Sequence, residues 1–313
     1  MSEVNRLIWH DGEFVKWAEA TVHVLSQSLQ RGSLAFDYMS VHPTTGGQAV
    51  LKLPEHIDRL LKTCAIMGIP ITYSKNELVA ACVATVGRNP GSHSLKISAL
   101  IPSIEVELVP QDPKVSVFIA AYDSLKDVIE RNPGKHHVAR NLSLKIERTI
   151  SNRQKAIIPP QAKIAANYTS PMFAKWRARK EGFDDILLLD GEFIAEAPTS
   201  NIFAVVNGGL VTPPARRVLH GITRASIIEL AQAMGLRFAE RDITVDELLG
   251  ADEVFLTATS IGVWPVIKID DVTFTSGAIG LITQRLQTRH TEIAAGEDAA
   301  FAHWLTLCPD HSP

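Results

Sequence analysis

Alternating and periodic apolar positions in the first 122 residues predict a small mixed domain of strands and helices. Residues 7–15 are typical of a β-hairpin, because the central Asp11-Gly12 pair suits the positive φ angles of a tight turn. Residues 53–67 carry apolar side chains at helical spacing, which predicts an amphipathic helix. Ser74 and Glu77 form a capping-box pattern, which predicts a second helix that ends near Gly87. Further strands are predicted at residues 36–39, 49–51, 95–100 and 115–122.

The next segment is polar and rich in turn-forming residues, which predicts a linker between two domains. Asn132, Pro133 and Gly134 carry this signal. We place the small domain at residues 1–124, the linker at 125–137 and a larger domain at 138–313. The pattern in the larger domain predicts helices at 170–181, 221–234 and 280–289, a strand pair within 186–194, and strands at 201–206, 210–212 and 252–257. The predicted fold class is therefore α/β (α+β) with two domains.

Composition and charge exclude several classes of partner. The 313 residues are 46% hydrophobic and 21% charged, with a formal net charge of −3 and no long basic run. Neither a nucleic acid nor a membrane is therefore expected as a partner. The first residues lack the layout of a signal peptide and no apolar run is long enough to span a bilayer, so a cytoplasmic protein is expected. Cys64, Cys82 and Cys308 are too scattered to predict a disulfide framework or a metal site.

The stretch from Pro159 to Tyr168 holds one lysine, Lys163, among small and apolar residues. Burial disfavours the charged form of a lysine, so its amine becomes nucleophilic nearer neutral pH. Such an amine can form a Schiff base with an aldehyde, including that of pyridoxal phosphate. The alternative is a structural lysine whose ammonium group reaches water from a strand end.

Four other features could serve the same cofactor, although each is weak alone. Glu196 follows an apolar strand and could accept a hydrogen bond from a protonated pyridine nitrogen; it could equally be a surface turn residue. The sequence Gly221-Ile222-Thr223 opens a predicted helix, whose free amides suit a phosphate. The hydroxyl-rich stretch from Thr257 to Ser260 could add donors. Arg59 could bind a phosphate through two nitrogens or simply pair with a nearby carboxylate.

Together and in this order, these motifs resemble the class IV (fold-type IV) pyridoxal-phosphate-dependent aminotransferases. That family includes branched-chain, D-amino acid and (R)-selective amine transaminases as well as aminodeoxychorismate lyase. The resemblance runs from about Trp9 almost to the C-terminus and includes the stretches 22–24, 55–60, 162–168, 196–203, 221–224 and 251–255. It implies a small N-terminal α/β domain, a larger C-terminal β-barrel-like domain with helices, a pyridoxal 5'-phosphate cofactor and a homodimer.

The resemblance also implies a role for each matching residue. Lys163 would be the catalytic Schiff-base lysine and the proton shuttle. Glu196 would pair with the pyridine nitrogen, and Tyr168 would donate to the ring hydroxyl. The phosphate would be held by Arg59, Ile222, Thr223 and Thr259.

The positions expected to contact substrate depart from those of the family members. Where branched-chain enzymes usually carry a tyrosine and an arginine on one strand, the alignment places Leu95 and Ile97. Arg31 is then a candidate anchor for a substrate carboxylate, or else a surface or dimer-interface residue. Lys96 would replace the missing arginine only if the register shifted by one residue. The further candidates for substrate contact are Phe36, Tyr38 and Ser260, with core packing as the alternative role of the two aromatic residues.

The leading functional hypothesis is a transaminase that moves an amino group from a branched-chain amino acid, a D-amino acid or a primary (R)-amine to an α-keto acid. The alternative on the same scaffold is β-elimination from 4-amino-4-deoxychorismate. A nucleotide-binding oxidoreductase is disfavoured because no Gly-x-Gly-x-x-Gly follows a strand. A non-catalytic protein on the same fold is disfavoured by the presence of Lys163, Tyr168 and Glu196 together.

Overall fold

The computed structural model describes residues 4–131, 141–152 and 157–311. The strands are β1 (Leu7–His10), β2 (Glu13–Lys16), β3 (Ala35–Thr44), β4 (Gly47–Leu51), β5 (Ser94–Leu100), β6 (Ser116–Tyr122), β7 (Leu142–Ser151), β8 (Asp185–Asp190), β9 (Phe193–Ile194), β10 (Glu196–Ala197), β11 (Ser200–Val206), β12 (Gly209–Thr212), β13 (Phe238–Glu240), β14 (Glu253–Ala258), β15 (Gly262–Ile269), β16 (Val272–Thr273) and β17 (Leu305–Cys308). The α-helices are α1 (Gln27–Arg31), α2 (Leu53–Met67), α3 (Lys75–Gly87), α4 (Thr169–Lys180), α5 (Ile222–Ala233), α6 (Val245–Leu249) and α7 (Leu281–Ala294).

The chain forms two compact units that do not follow one another in sequence. Of the described residues, the first unit contains 4–131, 162–166 and 293–311, and the second contains 141–152, 157–161 and 167–292. The segment with Lys163 therefore belongs to the first unit, although it lies far along the chain. The first unit also includes β17, which comes from the C-terminal segment.

A seven-stranded sheet forms the first unit, in the order β17-β4-β3-β5-β6-β1-β2. The predicted hairpin at its edge is confirmed, because β1 pairs with β2 around Asp11 and Gly12, which have φ angles of 47° and 103°. The capping box that begins α3 is also confirmed, since Ser74 accepts from the amide of Glu77 while Glu77 accepts from that of Ser74. β17 extends the sheet at β4, which local sequence patterns did not predict.

Side chains of the central strands alternate between two faces of this sheet, as the period of a strand requires. On one face, Asp37 accepts hydrogen bonds from side chains of α2, and we call this the helix face. Leu95 and Ile97 share that face, because Ile97 pairs with Asp37 and Leu95 with Met39. The opposite face, which we call the open face, carries Phe36, Tyr38, Lys96, Ser98, Phe118 and Ala120.

The second unit contains a ten-stranded sheet that closes on itself. Its hydrogen-bonded path runs β11-β14-β15-β7-β8, and β9 pairs with β8. One residue after β9, β10 pairs back to β11, so the path returns to its starting strand. The enclosed core is aliphatic and includes Leu144, Leu187, Ile202 and Leu256. This closure corresponds to the predicted barrel-like domain.

The helices of the second unit cover parts of this sheet. Ala174 and Ala178 of α4 pack on Ile186 and Leu188 of β8. These alanines share one helical face, and the small side chains let the helix lie close to the strand. Gly182, with a φ angle of 92°, follows the end of α4, as predicted.

The predicted linker at residues 125–137 is only partly described. Its beginning forms a π-helical turn at Ser124–Ile129, capped by Asp123, whose carboxylate accepts from the amides of Leu125 and Lys126. Residues 132–137 lie outside the described ranges. The domain boundaries at 124 and 138 therefore stay predictions.

Among the helices within the described ranges, none combines the length and apolar character needed to cross a bilayer.

The two faces of β5 predict opposite responses to truncation. Replacing Ile97 by alanine should lower the free energy of unfolding by about 2–5 kcal/mol, because it leaves a cavity under the helices. Replacing the neighbouring Lys96 by alanine should change it by no more than about 0.5 kcal/mol. Urea unfolding of both variants measures the difference. Equal losses would contradict the assigned register.

Candidate active site

The Lys163 segment is fixed by backbone hydrogen bonds at the start of β3. The amide of Phe36 donates to the carbonyl of Lys163 at 3.1 Å, and the amide of Ala165 donates to that of Leu34 at 2.9 Å. From α2, the hydroxyl of Thr63 accepts from the amide of Lys163 at 3.1 Å. The lysine backbone is therefore held on two sides before any ligand binds.

The side chain of Lys163 lies on the open face. Its Nζ is 4.8 Å from the centre of the Phe36 ring, and the side chain is half-buried. Its neighbours Ala162 and Ile164 are buried. The Lys163 amine is therefore held near an aromatic ring on the open face.

A buried ion cluster lies beneath the same strand on the helix face. Asp37, which is 0% exposed, accepts from Arg59 Nε at 2.8 Å and from Arg59 Nη2 at 2.7 Å. The Nδ1 of His56 lies 2.7 Å from the same carboxylate. His56 and Arg59 are three residues apart on α2, so they occupy one side of the helix. The paired guanidinium of Arg59 thereby has a fixed orientation.

The charges of this cluster shift the pKa values of two of its members. Burial alone would raise the pKa of Asp37, but the charge of Arg59 and the hydrogen bonds from Arg59 and His56 outweigh it and hold that pKa well below its usual range. Burial lowers the pKa of His56 even though Asp37 opposes this effect, so His56 favours its neutral form. Asp37 and His56 were not predicted as site residues. A lone acid in an apolar strand, with His-x-x-Arg nearby, is the signal that marks them.

In the second unit, Glu196 is a buried carboxylate with a defined orientation. It is 2% exposed, and its oxygens accept from Asn201 Nδ2 at 3.0 Å and from the amide of Leu219 at 3.1 Å. Glu196, Asn201 and Thr257 pair across three adjacent strands, so their side chains share one face. The alternative of a surface turn glutamate is excluded by this burial.

The N-terminus of α5 lies against this row of residues. A Cβ atom on Gly221 would be 1.9 Å from Asn201 Oδ1, so any side chain at this position would displace the Asn201 amide. Gly221 is the N-cap of the helix and provides no side-chain cap for the first amides, those of Ile222 and Thr223. Free amides at a helix N-terminus favour an anion such as a phosphate.

Hydroxyl groups at the end of β14 extend the same row. Thr257 Oγ1 is buried and has no hydrogen-bond partner among the described residues. Thr259 is half-buried in the turn after the strand, and Ser260 beside it is exposed. A buried hydroxyl without a partner is costly in a closed core, so its presence points to a polar ligand. Tyr168, the N-cap of α4, lines a groove of the same unit together with Thr199.

These observations support binding of pyridoxal phosphate by the residues present. Each unit, taken by itself, contains groups that fit part of this cofactor. The first unit contains the Lys163 amine and the Arg59 guanidinium. The second unit contains the Glu196 carboxylate, the α5 N-terminus without a side-chain cap and the Thr257 hydroxyl. An amine for an aldehyde, a carboxylate for a ring nitrogen and amides for a phosphate match the functional groups of that cofactor.

The predicted substrate contacts need a correction. Phe36 and Tyr38 lie on the open face, as a substrate site requires. Leu95 and Ile97 are 0% exposed on the helix face, so they cannot contact a substrate bound over Phe36. Lys96 and Ser98 hold the corresponding open-face positions without any register shift. Arg31 ends α1 and is exposed, with Nη2 3.5 Å from the carbonyl of Val106.

The comparison with known families identifies one match. The model of the family "Amino-transferase class IV" matches residues 34–269. Among curated proteins, the branched-chain-amino-acid aminotransferase of Pseudomonas aeruginosa is 33% identical over an alignment of 320 positions. This alignment covers 98% of this chain and 99% of that protein.

Solved structures of such enzymes are also similar to this chain. The branched-chain aminotransferase of the archaeon Thermoproteus uzoniensis, crystallised with norvaline, has a TM-score of 0.87 and 30% identity, and covers 96% of this chain and 98% of its own. The branched-chain amino acid aminotransferase of Thermobaculum terrenum, crystallised in its PLP-containing holo form, has a TM-score of 0.86 and 26% identity, with coverage of 97% and 99%.

The buried ion cluster leads to a prediction about stability. Replacing Asp37 by asparagine should lower the free energy of unfolding by about 3–5 kcal/mol at pH 7, because it leaves the buried charge of Arg59 without its counter-ion. The same change at Asp58, whose pair with Lys75 is exposed, should cost no more than about 1 kcal/mol. Denaturant unfolding measures both values.

The pH dependence of unfolding provides a second readout. The carboxyl of Asp37 has a lower pKa in the folded chain than its value of about 3.9 in an unfolded one. The stabilisation from the Asp37 carboxylate is therefore present above the unfolded-state pKa of about 3.9, and it is lost as the pH falls below that value toward the folded-state pKa. The Asp37→Asn protein should lose less stability than the parent between pH 5 and pH 3, in a range set roughly by that reference pKa. Parallel curves would contradict this role for Asp37.

Proposed function

This chain belongs to the class IV aminotransferase family, and from that premise we propose that it is a pyridoxal-phosphate-dependent transaminase that transfers an amino group from an amino acid to an α-keto acid. The predicted resemblance and the fold-type IV class are confirmed by this membership and by the similar structures. The homodimer that the resemblance implies, and a cytoplasmic location, form part of the proposal.

The position of Lys163 is the main support for this proposal. Lys163 is held by backbone hydrogen bonds at the edge of β3, with its amine over the ring of Phe36 on the open face. A structural lysine would keep its ammonium group in water, whereas the side chain of Lys163 is half-buried beside the Phe36 ring. A fixed, half-buried amine on an accessible face suits covalent chemistry with an aldehyde.

When bound, the cofactor supplies an aldehyde that accepts the amino group and a ring that withdraws electrons from the substrate's α-carbon. Each of the following residues would then have a separate role. Lys163 would hold the aldehyde carbon through Nζ and, once released, take the proton from the α-carbon and return it. Glu196 would keep a proton on the ring nitrogen. Tyr168 would donate to the ring hydroxyl, and the phosphate would be held by Arg59, Ile222, Thr223 and Thr259.

A cavity in the first unit favours an amino donor with an apolar side chain. A cavity of about 350 Å³ adjoins the open face and is lined by Trp17, Val22, Leu34, Ser98 and Phe118. Its apolar walls favour aliphatic or aromatic groups over charged ones. We therefore place branched-chain amino acids first among the donors, ahead of D-amino acids and (R)-amines.

Lys163 provides the direct test of this function. The Lys163→Ala protein should retain no cofactor covalently after borohydride reduction and dialysis, and its transfer rate should fall by at least about 100-fold because the proton-transfer group is lost. In the parent protein, a peptide containing Lys163 should carry the phosphopyridoxyl group, as read by mass spectrometry. Lys268→Ala, in the second unit, is the control. Labelling of another lysine in the parent would refute the assignment.

A donor scan separates transfer from elimination. The purified holoenzyme should convert its cofactor to the aminated form, seen by absorbance, when L-leucine is added alone, and 2-oxoglutarate should reverse the change. D-alanine and (R)-1-phenylethylamine are added in parallel to define the class and hand of the donor. Pyruvate release from aminodeoxychorismate without an amino acceptor, combined with no conversion by any amine, would favour the lyase alternative instead.

A further inference from the structure

We propose that Lys96 is the residue that binds a substrate carboxylate, so that the protein selects amino acids over amines that lack a carboxylate. This inference rests on the proposed function, because it requires that the reacting amine is Lys163. It replaces the pair of positions, Leu95 and Ile97, at which the sequence predicted substrate contacts.

The strand register determines where Lys96 lies. Lys163 stands opposite Phe36 on one side of β3, and Ser98 stands opposite Phe36 on the other. Lys96 is two residues before Ser98 on β5, opposite Tyr38. Side chains two residues apart on a strand share a face, and diagonal neighbours of adjacent strands are within reach of a long side chain. Lys96 is therefore a diagonal neighbour of Phe36 on the open face.

The side-chain nitrogens of both lysines therefore lie near one aromatic ring. Lys163 Nζ lies 4.8 Å and Lys96 Nζ 5.2 Å from the centre of the Phe36 ring. Since both distances refer to one point, the two nitrogens are at most about 10 Å apart, roughly one Debye length at 0.1 M salt. A substrate that reacts at Lys163 would therefore bring its acid group within range of the positive charge of Lys96.

The surroundings of Lys96 suit a small carboxylate. Tyr38, directly opposite, shares a hydrogen bond of 2.8 Å between its hydroxyl and Ser94 Oγ, which fixes the phenol on the open face. Ser98 adds a half-buried hydroxyl on the other side and also lines the apolar cavity. A substrate whose α-carbon lies at Lys163 could therefore place its carboxylate near Lys96 and the hydroxyls of Tyr38 and Ser98. Its aliphatic side chain could lie in the apolar cavity.

The cofactor phosphate is the other anion that could reach this face. Arg59 is already oriented by Asp37, but it lies on the helix face and does not share the open face with Lys96. A role of Lys96 toward the phosphate would weaken cofactor binding, whereas a role toward substrate would leave it unchanged. Cofactor affinity is therefore measured for each variant.

The experiment compares ligands that differ only in the carboxylate. The variant Lys96→Met removes the charge and keeps the length of the side chain, and Lys96→Arg restores the charge. Lys268→Met is the matched control, because Lys268 also lies on a strand with its ammonium group 6.0 Å from an aromatic centre, that of Phe183. The donors are L-leucine and 3-methylbutylamine, which is leucine without its carboxylate. Calorimetry of the holoenzyme compares 4-methylpentanoate with the uncharged 4-methylpentanamide.

We expect Lys96→Met to lower kcat/KM for L-leucine by about 10- to 100-fold, the range for loss of a charged hydrogen bond, and to leave 3-methylbutylamine within about twofold. The preference for the acid over the amide should disappear in calorimetry. Lys96→Arg should recover part of both effects, and Lys268→Met should match the parent. L-glutamate carries a second carboxylate: a loss equal to that of leucine assigns Lys96 to the α-carboxylate alone, and a larger loss shows that it also contacts the distal one.

Three outcomes would overturn the proposal. Equal losses for leucine and 3-methylbutylamine would give Lys96 a role unrelated to the carboxylate, and weaker cofactor binding would assign it to the phosphate. A selective loss with Arg31→Met but not with Lys96→Met would make Arg31 the anchor. If the parent protein transfers no amino group at all, the proposed function fails, while the calorimetric comparison of acid and amide still tests the anion site by itself.

Discussion

The pairing of the Lys163 segment with the start of β3 is the constraint on which the chemistry of the first unit depends. Its two backbone hydrogen bonds set the register, and the register sets the face on which the amine emerges. A shift of one residue would turn Lys163 toward the helix face, where Asp37 and Arg59 already lie. The same alternation places Phe36 beside the amine and Lys96 near the same ring. A single strand register thus positions both the reactive group and the neighbouring cation.

The ion cluster beneath β3 fits the role in ligand binding that we propose for Arg59. Replacing a buried ion pair by packed apolar residues is often neutral or stabilising, so an arrangement such as Asp37, His56 and Arg59 is weak evidence for stability. Its physical effect is to hold Arg59 in one orientation through two hydrogen bonds to Asp37. An arginine that is already oriented loses less conformational freedom when it binds a phosphate. The cost of burial and the proposed role of Arg59 are therefore linked.

The sequence allowed prediction of features that depend on local patterns. The hairpin at Asp11-Gly12, the capping box at Ser74 and the helix of residues 53–67 follow from turn geometry and periodicity, and the structure confirms them. Features set by distant neighbours could not be predicted in this way. Nothing local to β17 indicates that it joins β4, and nothing local to β5 indicates which of its faces is covered by helices. Because of this ambiguity, the alignment placed Leu95 and Ile97 at positions that face substrate, whereas Lys96 and Ser98 lie on the open face. An error of one residue in an alignment reverses the face of every side chain in a strand.

The choice of lysine at position 96 has a physical consequence for selectivity. An arginine would bind a carboxylate through two parallel hydrogen bonds and fix its plane, whereas an ammonium group is a compact charge that accepts many approach angles. On the open face, a site of this kind would require an acid group but impose little on its orientation. Discrimination among amino acids would then fall to the apolar cavity beside Ser98 and Phe118. Differences of one methylene group in such a cavity are worth only about 1–3 kcal/mol, so a protein built this way should accept several aliphatic amino acids and reject the corresponding amines.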